Sequence, residues 1–112
     1  MSLPKREDIP PGTLEMLILK TLASTKPMHG FEIAEFILER SSGVLQVEEG
    51  SLYPALQRML LKEWIAGDWG KTDENRRARY YSLTAEGRRQ LAREMDRYER
   101  VSQAIAAILL PV

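Results

Sequence analysis

The stretch VEEGSLYPALQRML, residues 47–60, carries residue types that suit contact with an anionic polymer. Its pattern is that of a helix, yet glycine and proline fall near its start, where a helix that only fills a core has no use for them. Gly50 and Ser51 let another molecule approach the backbone closely, and free N–H groups at a helix N-terminus attract phosphate oxygens. Pro54 is expected to cost little, because first-turn N–H groups lack intrahelical partners. The stretch predicts a helix that offers its N-terminal half to DNA.

Further side chains of this helix have the chemistry to touch DNA. The phenol of Tyr53 can donate to a phosphate, while Gln57 and Arg58 can hydrogen-bond the edges of adenine and guanine. Lys62 can neutralise a phosphate at the far end of the helix. Alternatively, Tyr53 packs on a neighbouring element and Arg58 pairs with an acidic side chain. The spacing leaves both interpretations open.

A second cluster of basic residues follows in KTDENRRAR, residues 71–79. It comprises Lys71, Arg76, Arg77 and Arg79. On a protruding hairpin such a cluster suits phosphate contact, or an arginine entering the minor groove. The alternative is a solvated hairpin whose arginines pair with Asp73 and Glu74. Its position next to the helix above favours DNA.

Catalytic and metal-binding chemistry find little support in the sequence. The chain has no cysteine, no phosphate-cradling glycine loop, and no histidine beside a serine or paired carboxylates, so an enzyme is not expected. His29 is the single histidine and no metal-ligand spacing surrounds it. We expect His29 to cap a helix through a backbone hydrogen bond, and we expect neither a metal nor a cofactor.

Hydrophobic periodicity places these residues on a mainly α chain with a small β-hairpin. Residues 1–11 read as an extended arm, because prolines stand at positions 4, 10 and 11. Three helices and a hairpin within residues 12–83 give the arrangement of a winged helix-turn-helix domain. The helix of residues 47–60 is then the recognition helix, and the hairpin is the wing.

The last predicted helix, residues 84–110, is about 40 Å long, which exceeds what the rest of the domain can cover. Its apolar residues recur close to a coiled-coil spacing, and the first helix adds more apolar surface than one core needs. We therefore predict a homodimer. Its proposed contact residues are Leu14, Leu17, Leu91, Met95, Tyr98, Val101, Ile105 and Ile108.

Length and charge agree with one small DNA-binding domain. The 112 residues suffice for one modest core, and the net charge is zero. Residues 28–56 carry a net charge of −4 and residues 57–93 a net charge of +4, so one segment is locally basic. The absence of cysteine, of a signal-peptide pattern and of a membrane-length apolar run favours a cytoplasmic protein without membrane contact.

Four sequence blocks resemble the PadR family of transcriptional regulators. They are MHGFEI (28–33), GSLYPALQRM (50–59), WI (64–65) and RRARYYSLTAEGR (76–88). The resemblance extends from about residue 9 to residue 110 and is closest to the subgroup with one C-terminal helix. It implies a homodimeric winged-helix DNA binder, usually a repressor, with residues 50–62 in the major groove and residues 71–79 on the backbone.

The resemblance also implies an effector and shows one departure. Some members bind flat aromatic compounds, which makes Trp69 a candidate for an effector pocket; alternatively it faces the dimer or solvent. Members usually have glycine where this chain has Glu63. A left-handed cap at that position costs an L-residue about 1–2 kcal/mol. We therefore expect the recognition helix to end more loosely or with a different cap, and this departure leaves the exact wing orientation open.

The sequence thus favours a dimeric, sequence-specific DNA-binding regulator on a roughly palindromic operator, a repressor released by a small-molecule effector. The alternative is a dimeric winged-helix adaptor that binds other proteins and not DNA. Zero net charge and the acidic second helix favour that alternative modestly.

Overall fold

The computed structural model describes residues 5–24 and 26–111, with four helices and five short strands in that part of the chain. In chain order they are β1 (Glu7–Asp8), α1 (Leu14–Ser24), β2 (Met28–His29), α2 (Gly30–Arg40), β3 (Leu45–Gln46), α3 (Glu49–Leu61), β4 (Ile65–Lys71), β5 (Arg77–Leu83) and α4 (Ala85–Leu109). The order confirms the predicted fold class, which is a winged helix-turn-helix followed by one long helix.

The core lies among α1, α2 and α3 and is closed on one side by the root of the β4–β5 hairpin. Each helix turns one apolar side inward, as helical spacing predicts. The fully buried side chains are Ile18, Leu19, Ile33, Leu52, Leu56 and Met59. The three from α3 lie on one side of the recognition helix, so the core holds that side and leaves the opposite side exposed.

The sheet contains one strand more than the predicted hairpin. β2 pairs antiparallel with β5, in register Met28 with Tyr81 and His29 with Tyr80, and β5 pairs with β4. Sequence reasoning placed only a turn at Met28–His29, because a two-residue strand has no periodicity to detect. The third strand ties the start of α2 to the hairpin.

The predicted N-terminal arm is partly attached to the domain. Glu7 and Asp8 form β1, which pairs in parallel with Leu45 and Gln46 of β3. Residues 1–4 lie outside the described residues. The prediction of an extended backbone is therefore met at residues 7–8, with a pairing partner that the sequence did not indicate.

Two helix starts are capped by side chains. The Nδ1 atom of His29 accepts from the backbone N–H of Glu32, and the Glu32 carboxylate accepts from the backbone N–H of His29, which makes a reciprocal capping box. At α4 the hydroxyl of Thr84 accepts from the N–H of Gly87 at 3.0 Å. The cap prediction for His29 is confirmed.

The predicted ending of α3 is wrong. Glu63 takes the left-handed conformation at φ 61° despite its side chain. Its N–H donates to Leu60 at 3.0 Å, and that of Trp64 donates to Met59 at 3.0 Å, the hydrogen bonds of a Schellman cap. The hydroxyl of Thr84 donates at 2.6 Å to the carbonyl oxygen of Glu63 and so holds the turn from the other side. Surrounding contacts impose the conformation that glycine would adopt more cheaply.

The long helix α4 is covered only near its start. Leu91 is 8% exposed and belongs to the core of its own chain, where α4 packs against α1. Further along, the apolar side chains of the predicted seam are exposed in the single chain. They are Met95, Tyr98, Val101, Ile105 and Ile108. No helix of the described chain is long and apolar enough to cross a membrane.

Candidate nucleic-acid interface

One straight line of exposed residues runs along the outer side of α3. Gly50, Pro54, Gln57 and Leu61 are spaced 4, 3 and 4 residues apart, which stacks them on one side of a helix, and all four are exposed. We call these four residues the α3 stripe. It is about 17 Å long at 1.5 Å per residue. The stripe faces solvent because the opposite side of the helix is held in the core.

Pro54 lies one turn deeper in α3 than the sequence suggested. Since α3 begins at Glu49, Pro54 is its sixth residue and not part of the first turn. A proline there cannot donate to the carbonyl four residues earlier, that of Gly50. The prediction of a cost-free first-turn position is wrong. Both residues are exposed, and the Gly50 carbonyl receives no hydrogen bond from the backbone of residue 54.

Tyr53 borders the stripe and packs against the first residue of α2. A Cβ atom at Gly30 would lie 2.8 Å from Cε1 and 2.9 Å from the hydroxyl of Tyr53, so a larger residue there would displace this ring. The ring nonetheless stays 45% exposed. Tyr53 therefore does pack on a neighbouring element, as the alternative interpretation of the sequence held. The packing orients the ring, and the ring remains partly exposed to solvent.

The wing carries its aromatic and basic side chains on one side. In the β4–β5 register Trp69 pairs with Arg79 and Lys71 with Arg77, and paired residues project to the same side of a sheet. The guanidinium carbons of Arg77 and Arg79 lie 4.3 and 5.9 Å from the centre of the Trp69 ring, within cation–π range. The tryptophan thus serves as a platform for two arginines.

Arg79 is held close to the backbone of the neighbouring strand. A Cβ atom at Gly67 would lie 2.5 Å from its Nε atom, so this glycine makes room for the guanidinium. That Nε is buried and makes no hydrogen bond to any described residue. Burial raises the pKa of the nearby Tyr81 hydroxyl, an effect that the positive charge of Arg79 opposes.

An open cleft of about 450 Å³ joins α3 to the wing. Tyr53 and Gln57 line it from α3, and Trp69, Arg77 and Arg79 line it from the sheet. We call it the helix–wing cleft. It brings together two groups of residues that the sequence analysis singled out separately, and it combines hydrogen-bonding, aromatic and cationic groups on one surface.

Arg58 and Lys62 lie on the other border of the stripe and are engaged within the chain. The Nε atom of Arg58 donates to the carboxylate of Glu15 on α1 at 3.3 Å, which is the ion-pair alternative considered above. The Nζ atom of Lys62 lies 4.5 Å from the centre of the Trp64 ring.

Glu94 of α4 adds a fourth ionisable side chain to the region that holds Glu15, Arg58 and Lys62. Burial raises the pKa of its carboxyl group, the nearby Glu15 carboxylate raises it further, and the charge of Lys62 opposes this. The Oε2 atom of Glu94 is buried with no hydrogen-bond partner among the described residues. Two acids and two bases therefore meet where α1, α3 and α4 come together.

The remaining predicted wing residues lie nearer the tip of the hairpin. Lys71 ends β4, and Arg76 stands in the loop, 4.0 Å from the Glu74 carboxylate with both side chains highly exposed. The loop is a turn closed by the N–H of Asn75 on the carbonyl of Thr72, with Asn75 at φ 63°. In this chain Arg76 is therefore a solvated side chain beside an acidic residue of its own loop, as the alternative interpretation of the hairpin held.

Two exposed apolar residues on this surface were missed by sequence reasoning. Leu61, 83% exposed, ends the α3 stripe, and Phe31, also exposed, lines the cleft beside His29. The signal for Leu61 was available, because its position falls outside the period of the buried side of α3. For Phe31 the sequence held none, since the cleft is formed by three elements.

The fold and this surface define a winged helix-turn-helix protein of the nucleic-acid-binding type. Residues 18–93 match the model of the transcriptional regulator PadR-like family. The chain belongs to that family.

Relatives and solved structures are consistent with this assignment. An uncharacterised protein of Lysinibacillus sphaericus is 30% identical over 89% of this chain and 91% of its own length. A PadR family transcription regulator from Clostridium difficile is 29% identical, covering 88% of this chain and 100% of that one, with a TM-score of 0.74. A PadR-like regulator from Bacillus cereus is 27% identical, with 90% and 95% coverage and a TM-score of 0.74. A regulator from Clostridium thermocellum, 23% identical with 88% and 95% coverage and a TM-score of 0.80, shares the fold.

The family membership makes the chain a DNA-binding transcriptional regulator and not an enzyme, as the sequence predicted. Within residues 5–24 and 26–111, no three His, Asp or Glu side chains are grouped so as to hold a metal ion.

Proposed function

We propose that this regulator is a homodimeric, sequence-specific repressor that reads a roughly palindromic operator with two copies of α3. The helix–wing cleft carries the proposal, because it sets base-reading and phosphate-binding chemistry side by side on the exposed surface of the domain. In this arrangement α3 enters the major groove, and the wing arginines contact the backbone next to it.

The surroundings of Gly50 support the same role for α3. A Cβ atom there would meet nothing within 4 Å, so neither packing nor a left-handed backbone requires glycine at this position. Glycine inside a helix costs about 0.5–1 kcal/mol relative to alanine. A ligand that approaches the backbone closely is a reason to keep it.

The dimer in this proposal forms through the part of α4 that the single chain leaves uncovered. Met95, Tyr98, Val101, Ile105 and Ile108 line that part, whereas Leu91 is already used by its own core. Leu17, half-buried on α1, lines a cavity there together with Met95 and Tyr98, whereas Leu14 lines a different one with Val47 and Ser51 beside the start of α3. Two recognition helices would then meet successive major grooves about 34 Å apart.

We include in the proposal that a small aromatic effector releases the regulator from DNA by binding at Trp69. This ring is 60% exposed inside the helix–wing cleft, so a flat ligand stacked on it would occupy the DNA-facing surface and compete directly. An effector acts only if it binds the DNA-free state better than the DNA-bound state.

The test is a fluorescence anisotropy titration with duplex DNA from upstream of the protein's own coding region. If each protomer neutralises about three phosphates, log affinity should fall with log salt at a slope of roughly −5, about a thousand-fold between 50 and 200 mM salt. Arg77→Glu should abolish most binding. Arg88→Glu, beyond the other end of β5, is the matched charge control. Binding that does not depend on salt would contradict the proposal, and so would an equal loss of DNA affinity in Arg77→Glu and Arg88→Glu.

A further inference from the structure

Only four residues occupy the centre of the surface that the proposed function places in the major groove. These are the residues of the α3 stripe, all of them exposed, and they present a glycine without a side chain, a proline ring, a carboxamide and an isobutyl group. The stripe contains no charged side chain. Its chemistry therefore determines which base pairs it can distinguish.

Guanine is read in the major groove chiefly by arginine or lysine, which donate to O6 and N7. Two basic residues lie near the end of α3, Arg58 within the helix and Lys62 directly after it, and neither lies on the stripe. Arg58 is held by Glu15 at 3.3 Å, and Lys62 is turned onto the Trp64 ring. Arg77 and Arg79 stand on the wing, stacked over Trp69. The stripe thus lacks a guanine reader.

Adenine and thymine do find partners on the stripe. A glutamine carboxamide matches the N6 and N7 atoms of adenine in a bidentate pair, and apolar side chains contact the thymine methyl group. Gln57 is exposed at the centre of the stripe, and Leu61 follows one turn later on the same side. Leu61 is 83% exposed, so the described residues bury little of it, and a methyl group is the apolar feature that the major groove offers.

We propose that α3 selects A·T base pairs at the centre of each half-site, with Gln57 on an adenine and Leu61 on a neighbouring thymine methyl group. Pro54 adds apolar surface between Gly50 and Gln57. The inference rests on the proposed function, since it specifies what that surface reads. With a length of about 17 Å, the stripe spans about five base pairs.

The first experiment selects binding sites from a random duplex library with the full-length protein at about 0.15 M salt. The expected result is enrichment of half-sites whose central pairs are A·T. Enrichment of half-sites centred on G·C would overturn this inference and leave the proposed function intact. Absence of binding to every duplex would overturn both.

The second experiment replaces single atoms in the selected site. Uracil in place of the contacted thymine removes only the methyl group and should weaken wild-type binding about 4-fold. The same replacement should leave the affinity of Leu61→Ala unchanged. Replacing the contacted adenine with 7-deazaadenine removes one acceptor and should weaken wild-type binding roughly 5-fold, with no effect on Gln57→Ala.

Arg58→Ala is the matched control, because Arg58 borders the stripe without belonging to it. Any change in affinity should be the same for all sequences, and the selected half-site should stay unchanged. A changed preference at any guanine in Arg58→Ala, or wild-type indifference to both atomic replacements, would overturn the inference.

Discussion

At the scale of single residues, two glycines of the proposed interface have opposite surroundings. Gly30 lies against the Tyr53 ring, and a Cβ atom there would have to displace the end of that ring. Gly50 has open space around it and an ordinary backbone conformation. The sequence could single out both positions but could not tell these roles apart, because the difference lies in what the tertiary fold places beside each one.

Gly50→Ala should therefore separate stability from binding. Alanine in place of an exposed helical glycine should raise the free energy of unfolding by about 0.5–1 kcal/mol, measured by urea denaturation. The same variant should lose operator affinity by anisotropy, because the added methyl group occupies the space that a close backbone approach needs. Gly30→Ala is the contrast: it should lose stability as Tyr53 is displaced. A stable Gly50→Ala with unchanged affinity would contradict the role assigned to Gly50.

At the scale of elements, the features that could be predicted from the sequence are those set by local hydrophobic periodicity and by helix-capping residues. The buried side of α3, the hairpin and the capped starts of α2 and α4 follow from local spacing and residue type. The Schellman end of α3 at Glu63 did not follow, since local cost argued against it. That conformation is imposed from a distance by Thr84, whose hydroxyl holds the turn from the start of another helix.

Replacing Glu63 with glycine should stabilise the protein. The L-residue strain of about 1–2 kcal/mol is relieved, and the greater freedom of glycine in the unfolded chain offsets part of the gain. We expect a net increase of about 0.5–1 kcal/mol in the free energy of unfolding, measured by chemical denaturation. Glu35→Gly, at an exposed position inside α2, should instead destabilise by about 1 kcal/mol. Equal effects of the two changes would contradict the strain at Glu63.

The junction of α1, α3 and α4 makes stability depend on pH through Glu94. Its pKa in the folded protein lies above the ordinary value of 4.5, first because of burial and then because of Glu15. The folded state therefore binds this proton more tightly than the unfolded state, and the contribution of Glu94 to stability is lost as pH rises above 4.5. Near neutral pH the charged carboxylate opposes folding.

Glu94→Gln should thus raise the melting temperature at pH 7, and this advantage should disappear as pH falls toward about 4.5, below which the wild-type carboxyl group is also neutral. Thermal unfolding at a fixed protein concentration measures both variants across this range. Glu99→Gln, on an exposed position of the same helix, controls for the loss of one negative charge. A gain that persists unchanged at pH 3.5 would show that packing, and not charge, is responsible.

At the scale of the whole molecule, the sequence predicted that α4 outgrows its own domain, and the single chain leaves most of its apolar side uncovered. It could not show where the core ends and the free surface begins. Leu91 and Met95 are one turn apart in the same apolar pattern, yet α1 covers the first and leaves the second exposed. That boundary depends on how far α1 extends along α4, which periodicity within one helix does not encode.

Ile105→Glu should convert the proposed dimer to monomer and change how binding depends on salt. The substituted side chain is exposed in the single chain, so the domain should stay folded while a charge enters the apolar seam between two copies of α4. Light scattering should report the mass of one chain. Because one protomer neutralises half as many phosphates, the salt slope should fall from roughly −5 to roughly −3. Ala107→Glu places the same charge on the opposite side of α4 and should keep both the dimer mass and the full slope; loss of the dimer in that control would show that the seam lies elsewhere on the helix.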